Sequence, residues 1–191
     1  SQLTQAAHAR KPGSLVVGEI ANYPKDWFPA VDGVIDFNLR LVILGLANGD
    51  GDTRLGARML EKIIGDAGIE PMLKSWMMLD NHDTFRLATS VPDPARRKLA
   101  QVLQFTLPGA PNIYYGTELG MAGGGDPEMR APMRWDLAND GNPELQWMRK
   151  LVALHQGHRA LRVGDFRLLV SDKLLAYERY RGVRLTDAGK R

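Results

Sequence analysis

Asp80, Asn81, His82, Asp83 and Arg86 crowd together directly after the mostly apolar run Ser75, Trp76, Met77, Met78 and Leu79. Such a run reads as a strand buried on both faces of a parallel sheet. The polar cluster then sits at the strand's C-terminal end, the end that carries the active site in barrels of parallel strands. An Asp, a His and an Arg gathered there can grip sugar hydroxyls and offset developing positive charge. A second carboxylate, Glu19, follows the short apolar run Leu15, Val16 and Val17. Cleavage of a glycosidic bond needs carboxylates flanking it. One of them must be protonated near neutral pH, which burial against apolar side chains can achieve. Glu19 precedes Ile20 and has Trp27 nearby in sequence; Asp83 lies between His82 and Arg86. Strand-end carboxylates are common, so spacing alone leaves bland readings open. Glu19 could cap the next segment, and His82 with Asp83 could form an Asx-type turn network.

The elements that would position these residues read as follows. A helix covers 3–11 and closes at Pro12-Gly13. A short strand at 14–18 leads to Glu19, and a loop over 21–31 holds Trp27 and Phe28. A strand at 32–37 precedes helices at 39–46 and 53–66, separated by a Gly/Asp break. The strand at 76–79 comes next. A helix at 94–107 starts with Pro94, which suits a first turn. A turn at 108–111 leads to a strand at 112–116, then to a Gly-rich loop at 122–126 running on to Arg130 and Trp135. One long helix spans 143–161. Runs at 166–170 and 174–180 read as a hairpin turning at 171–173, and 186–191 carry no core pattern. Strands alternating with helices mean βαβ units and a parallel sheet, an α/β fold.

Composition narrows the function classes. The chain has 191 residues, enough for one domain with a core, and its 44% apolar and 25% charged residues are ordinary for a globular protein. A net charge of +3 with scattered Lys and Arg gives no basic face for nucleic acid. There is no cysteine, hence no disulfide or thiolate chemistry. No apolar run approaches the roughly 20 residues that span a bilayer. No signal peptide is present, but the chain reads as starting inside a fold, so that says little. Location stays unknown, with the lack of cysteine favouring the cytoplasm.

The segments Val17-Gly18-Glu19-Ile20, Leu79-Asp80-Asn81-His82-Asp83-Thr84-Phe85-Arg86 and Pro108-Gly109-Ala110-Pro111-Asn112-Ile113-Tyr114-Tyr115-Gly116 occur in that order. They resemble the fifth, seventh and eighth strand regions of the α-amylase family, glycoside hydrolase family 13. Residues 32–37 resemble its sixth strand. Residues 124–134, with Asp126-Pro127 and Arg130, resemble the loop after the eighth strand in the neopullulanase and cyclomaltodextrinase branch. Residues 159–166 resemble the exit from the last barrel helix into a C-terminal β-domain. The resemblance covers about residues 3–180. It implies the C-terminal half of a (β/α)8 TIM barrel, about its last four strands and helices, over 1–162. The truncated beginning of a C-terminal β-domain would then occupy 163–191.

The resemblance also implies a chemistry: retaining cleavage, or transfer, of α-glucosidic bonds in maltodextrins or cyclodextrins. Glu19 matches the general acid/base, and Asp83 the acid that holds sugar hydroxyls and stabilises the transition state. His82 matches a residue that hydrogen-bonds the same glucosyl unit, and Asp126 and Arg130 are candidates for binding the next sugar out. The family's nucleophile is an Asp on the fourth strand, supported by an Arg two residues earlier. No residue of this sequence matches either, so the chain by itself is expected to be inactive. The competing expectations are a truncated, non-enzymatic piece that binds oligosaccharide weakly at most, which the missing nucleophile favours for this chain by itself, and a transporter-associated barrel homologue that has lost catalysis, which the retained Glu19 and Asp83 argue against. No cofactor is required. Calcium could bind a longer relative, but Asp50 and Asp52 lack the rest of a ligand loop. The expected partner is an oligosaccharide. Four strands cannot close an eight-stranded barrel, so self-association through raw sheet edges is expected too.

Other polar and aromatic residues read as structural. Asp80 and Asn81 support the turn, Tyr114 and Tyr115 pack, and His155 and His158 lie on a helix as surface or packing residues. Arg96, Arg97 and Lys98 read as a solvated helix face. Trp27 and Phe28 could stack on sugars or pack in the core or loop.

Overall fold

The computed structural model describes residues 1–169 and 174–180. After helix α1 (Gln2–Arg10), the strands β1 (Val17–Ile20), β2 (Gly33–Asp36), β3 (Trp76–Met78) and β4 (Ala110–Asn112) form one parallel sheet in chain order. A loop with a single 3-10 turn joins β1 to β2. Helices α2 (Phe37–Asn48), α3 (Thr53–Ala67) and α4 (Ile69–Lys74) join β2 to β3, and α5 (Leu87–Ser90) and α6 (Pro94–Thr106) join β3 to β4. Helices α7 (Pro143–Gly157) and α8 (Arg159–Val163) follow. Strands β5 (Asp165–Leu169) and β6 (Ala176–Tyr180) then pair antiparallel in a separate sheet. No helix of the described residues is long and apolar enough to cross a membrane.

Local chemistry sets these boundaries. Side-chain oxygens of Asp36, Asp52 and Asp93 accept the N-terminal amides of α2, α3 and α6 at 2.8 Å, satisfying donors that a helix leaves unpaired. Gly49, at φ 74°, closes α2 in the left-handed conformation that glycine adopts without strain. Gly33 is required for another reason: a Cβ there would lie 2.5 Å from the Lys74 carbonyl oxygen, where the entry to β3 crosses β2. The core lies between sheet and helices. Met77 and Leu79 pack with Leu39, Ile43, Leu60 and Leu107, and truncating any of these to Ala would cost about 2–5 kcal/mol.

The structure departs from the sequence expectation in six places. β1 starts at Val17, so Glu19 lies within the strand instead of beyond its tip; residue 16 is taken by Asp32, whose carboxylate accepts the Val16 N–H at 2.8 Å. β4 covers Ala110–Asn112, in the stretch read as a turn. Pro111 is tolerated because β4 has one neighbour among the described residues and needs no second ladder of donors. Trp76 is 40% exposed, so burial on both faces holds for Met77 and Met78 but not for the start of β3. The long helix breaks at His158, whose backbone is extended (φ −114°, ψ 105°). The short helices α4 and α5 carry too few residues for a visible period. Finally, Arg97 is not on a solvated face: it is buried and paired with Glu144 at 2.9 Å, because α6 packs against α7 there. The proposed hairpin turn at 171–173 and the segment 186–191 lie outside the described residues.

Candidate functional site

Asp80, the first polar residue after β3, is 1% exposed and works as scaffold. Its carboxylate accepts the Leu87 N–H at 2.8 Å and the Thr117 hydroxyl at 2.8 Å and 2.9 Å. Burial pushes its carboxyl up, while the Leu87 and Thr117 donors and the Arg86 and Arg40 charges pull the other way. Arg40 crosses from α2 to give its Nε–H to the Leu79 carbonyl at 2.8 Å. The chain between Asp80 and Leu87 therefore returns on itself as a closed turn. Within it, the Asn81 side chain accepts the Asp83 N–H at 3.0 Å, and the Asn81 N–H reaches the Thr84 hydroxyl at 3.0 Å. This is an Asx turn, and it holds Asp83 up at the surface.

Arg86 is fully buried. Its Nη1 donates to the Tyr115 carbonyl at 2.5 Å, and its guanidinium lies 4.7 Å and 4.6 Å from the Tyr114 and Tyr115 ring centres. Both tyrosines then reach onward: their hydroxyls donate to the carbonyls of Met129 (3.3 Å) and Ala131 (2.8 Å). Burial, helped by Tyr115, pushes the Tyr114 hydroxyl up to about 12. The exit of β4 is thus tied to the loop that carries Asp126 and Arg130.

That loop folds back over the turn. Arg130 donates through Nε to the His82 carbonyl at 2.9 Å and through Nη2 to Asp83 Oδ1 at 3.0 Å; Asp126 Oδ1 lies 3.7 Å from its Nε. His82 Nε2 lies 3.2 Å from Asp83 Oδ2. Four of the five residues singled out for the site are therefore in one constellation. Asp83, His82 and Arg130 are each about half exposed. An exposed pair of this kind is worth roughly 0–1 kcal/mol, so sugar hydroxyls could displace it at little cost. Asp83 can accept such hydroxyls on both oxygens, with a cation beside it.

Glu19 stands apart. It lies in β1, level with Ile35 in β2, and parallel pairing puts it toward the same sheet end as Asp83. Two strand spacings, roughly 10 Å, separate the β1 and β3 backbones. Glu19 is exposed, and its side chain has no hydrogen-bond or ion-pair partner among the described residues. The apolar enclosure expected of it is missing there as well: Trp27 is 48% exposed, and Phe28 packs against the core instead. Beside it, the Asp36 carboxyl is pushed up by burial, against the pull of the Leu39 and Asn38 amides.

Sequence reading missed Thr117, Arg40, Thr89 and Gly123, which support the site through contacts between distant segments. Only the isolated Arg40 within an apolar helical run hinted at a buried charge. Asp52 caps α3, and Asp50 lines a groove between α2 and α3 without a third carboxylate. Among the described residues, no three His, Asp or Glu side chains converge as metal ligands would.

A protein-family model described as "Alpha amylase, catalytic domain" matches residues 1–158. A cyclomaltodextrinase of Geobacillus thermopakistaniensis is 33% identical over 175 residues, covering 90% of this chain and 30% of its own length. Neopullulanase 2 of Thermoactinomyces vulgaris is 34% identical over 172 residues, covering 85% of this chain and 28% of its own. The chain thus spans about three tenths of the length of these curated relatives. Among solved structures, the debranching enzyme of Nostoc punctiforme superposes with a TM-score of 0.87 at 27% identity, over 95% of this chain and 42% of that one.

Proposed function

The chain belongs to the α-amylase catalytic-domain family, and from that premise we propose that it supplies part of a site that cleaves α-glucosidic bonds in maltodextrins or cyclodextrins. The observation that carries this reading is Asp83 held between His82 and Arg130 at the C-terminal end of a parallel sheet. In the proposed assembly β1–β4 are the last four strands of a (β/α)8 barrel over 1–162, and β5 and β6 begin a C-terminal β-domain over 163–191. Glu19 acts as general acid/base. Asp83 and His82 hold the hydroxyls of the sugar being cleaved, and Asp126 and Arg130 bind the next sugar outward. No cofactor takes part, and the reaction proceeds in the cytoplasm.

Retention needs a carboxylate about 5 Å from the acid to attack the anomeric carbon. Glu19 and Asp83 lie on strands roughly 10 Å apart, and no residue of this sequence matches the family's attacking Asp. The 191-residue chain alone is therefore proposed to lack turnover. The exposure and isolation of Glu19 favour a second reading of the chain by itself, as a weak oligosaccharide binder. Its two sheet edges would then lead it to pair with a complementary half-barrel or with itself.

The test is hydrolysis of maltotriose, starch and cyclodextrin by the chain alone and with the first four β/α units of a relative added. The reading expects no turnover alone, and turnover on addition that disappears with Glu19→Gln. Glu19-dependent hydrolysis by the chain alone would overturn it.

A further inference from the structure

The sugar-facing groups of the constellation come from two segments far apart in sequence, and something must fix their relative position. The pair Arg130–Asp83 is exposed and too weak to do this alone. The geometry points to α5 as the positioning element, acting through Arg86 and Thr89 on Gly123. This inference rests on the sugar-binding reading above and adds the residues that set its outer subsite.

Arg86 and Thr89 grip Gly123 from both sides. The Arg86 N–H donates to the Gly123 carbonyl at 3.0 Å, and the Gly123 N–H donates to the Thr89 hydroxyl at 2.9 Å. Thr89 is itself held to Arg86 by one helical hydrogen bond of 2.9 Å. Gly123 cannot be replaced there without movement, because a Cβ would lie 2.6 Å from the Glu128 carbonyl oxygen. Glu128 then fixes the following residue: its carboxylate accepts the Gly124 N–H at 2.9 Å. Two residues later in the chain stands Arg130, bonded to His82 and Asp83. The buried Arg86 side chain braces the same loop from beneath through Tyr114 and Tyr115.

The consequence is a register. Asp83 is fixed to Arg86 by the closed turn, Arg86 and Thr89 fix Gly123, and Gly123 with Glu128 fixes Arg130. A shift at Gly123 is carried to the guanidinium that meets the second sugar, while Asp83 and His82 stay on their own turn. Thr89 is thus a positioning residue for the outer sugar and touches no substrate.

The test uses the full chain with Thr89→Val, which keeps the shape but removes the acceptor, and Thr89→Ser, which restores it. Exchange of the Arg130 Nε proton is followed by NMR alongside the Gly123 amide, with core amides of β3 as the control for intact folding. Thr89→Val is expected to speed both by about fivefold, the weight of one hydrogen bond, with Thr89→Ser returning them to wild type. A freed Gly123 amide with an unchanged Arg130 proton would overturn the inference, as would failure of Thr89→Ser to restore it. Maltotriose added to the wild type reads the premise separately. No perturbation at His82 or Asp83 would refute the sugar-binding reading while the Arg130 result still decides the positioning claim.

Discussion

Glu19 and Asp83 lie toward one end of the same sheet, yet they are built differently. Asp83 rides on a turn closed by a buried carboxylate, braced by a buried arginine and covered by a loop from beyond β4. Glu19 sits in a strand at the edge of the described sheet, exposed and with no side-chain partner among the described residues. The ties near it are exposed ones: Tyr23 and Lys25, in the loop after β1, reach Asp66 on α3, which also pairs with Lys62. The difference teaches that the Asp83 constellation is assembled by contacts within the described residues, whereas the Glu19 side chain draws no partner from them.

The largest effect should come from the brace. Replacing Arg86 by Met removes its hydrogen bond to the Tyr115 carbonyl and one of the two buried positive charges that act on Asp80, and should destabilise the fold by about 3 kcal/mol, read by urea denaturation. A loss within 1 kcal/mol would mean that the Asp83 side is not held from below. Next is Thr117→Val, which leaves Asp80 without its hydroxyl donor. About 2 kcal/mol is expected for a lost hydrogen bond to a charged group, with the same measurement. Glu19→Gln should change stability by no more than about 0.5 kcal/mol, as for a surface change away from such features. A cost comparable to Thr117→Val would erase the contrast.

The exposed ties give the smallest effect, visible against pH. Hydrogen bonds from Lys62 and Tyr23, with Lys25 beside them, lower the Asp66 carboxyl to about 2, below the unfolded value of roughly 4. A lowered carboxyl contributes stability above the unfolded value and loses it as pH falls toward the folded one. Stability should therefore rise between about pH 2 and pH 4, less steeply in Asp66→Asn and less steeply in high salt. A slope untouched by Asp66→Asn would contradict this.

Much of the arrangement was legible in the sequence because it is local. The polar cluster after β3, Pro94 at the start of α6 and the alternation of strands with helices are all contained in short windows. Glu19 was legible as a candidate, but its exposure was not, since burial depends on which strands flank β1. The β4 boundary was misread because Ile113, Tyr114 and Tyr115 look like a strand, while Tyr114 and Tyr115 serve as a platform for Arg86. The buried state of Arg97 and the grip on Gly123 depend on contacts between residues more than thirty positions apart in the chain, which no local pattern records.

The central claim is that the Asp83 side alone is ready to hold sugar. Titration of maltotriose into the chain, followed by calorimetry or NMR, tests it most directly in three forms: wild type, Asp83→Asn and Glu19→Gln. The account predicts weak binding that Asp83→Asn abolishes and Glu19→Gln leaves unchanged. Binding that survives Asp83→Asn, or falls equally with Glu19→Gln, would contradict it.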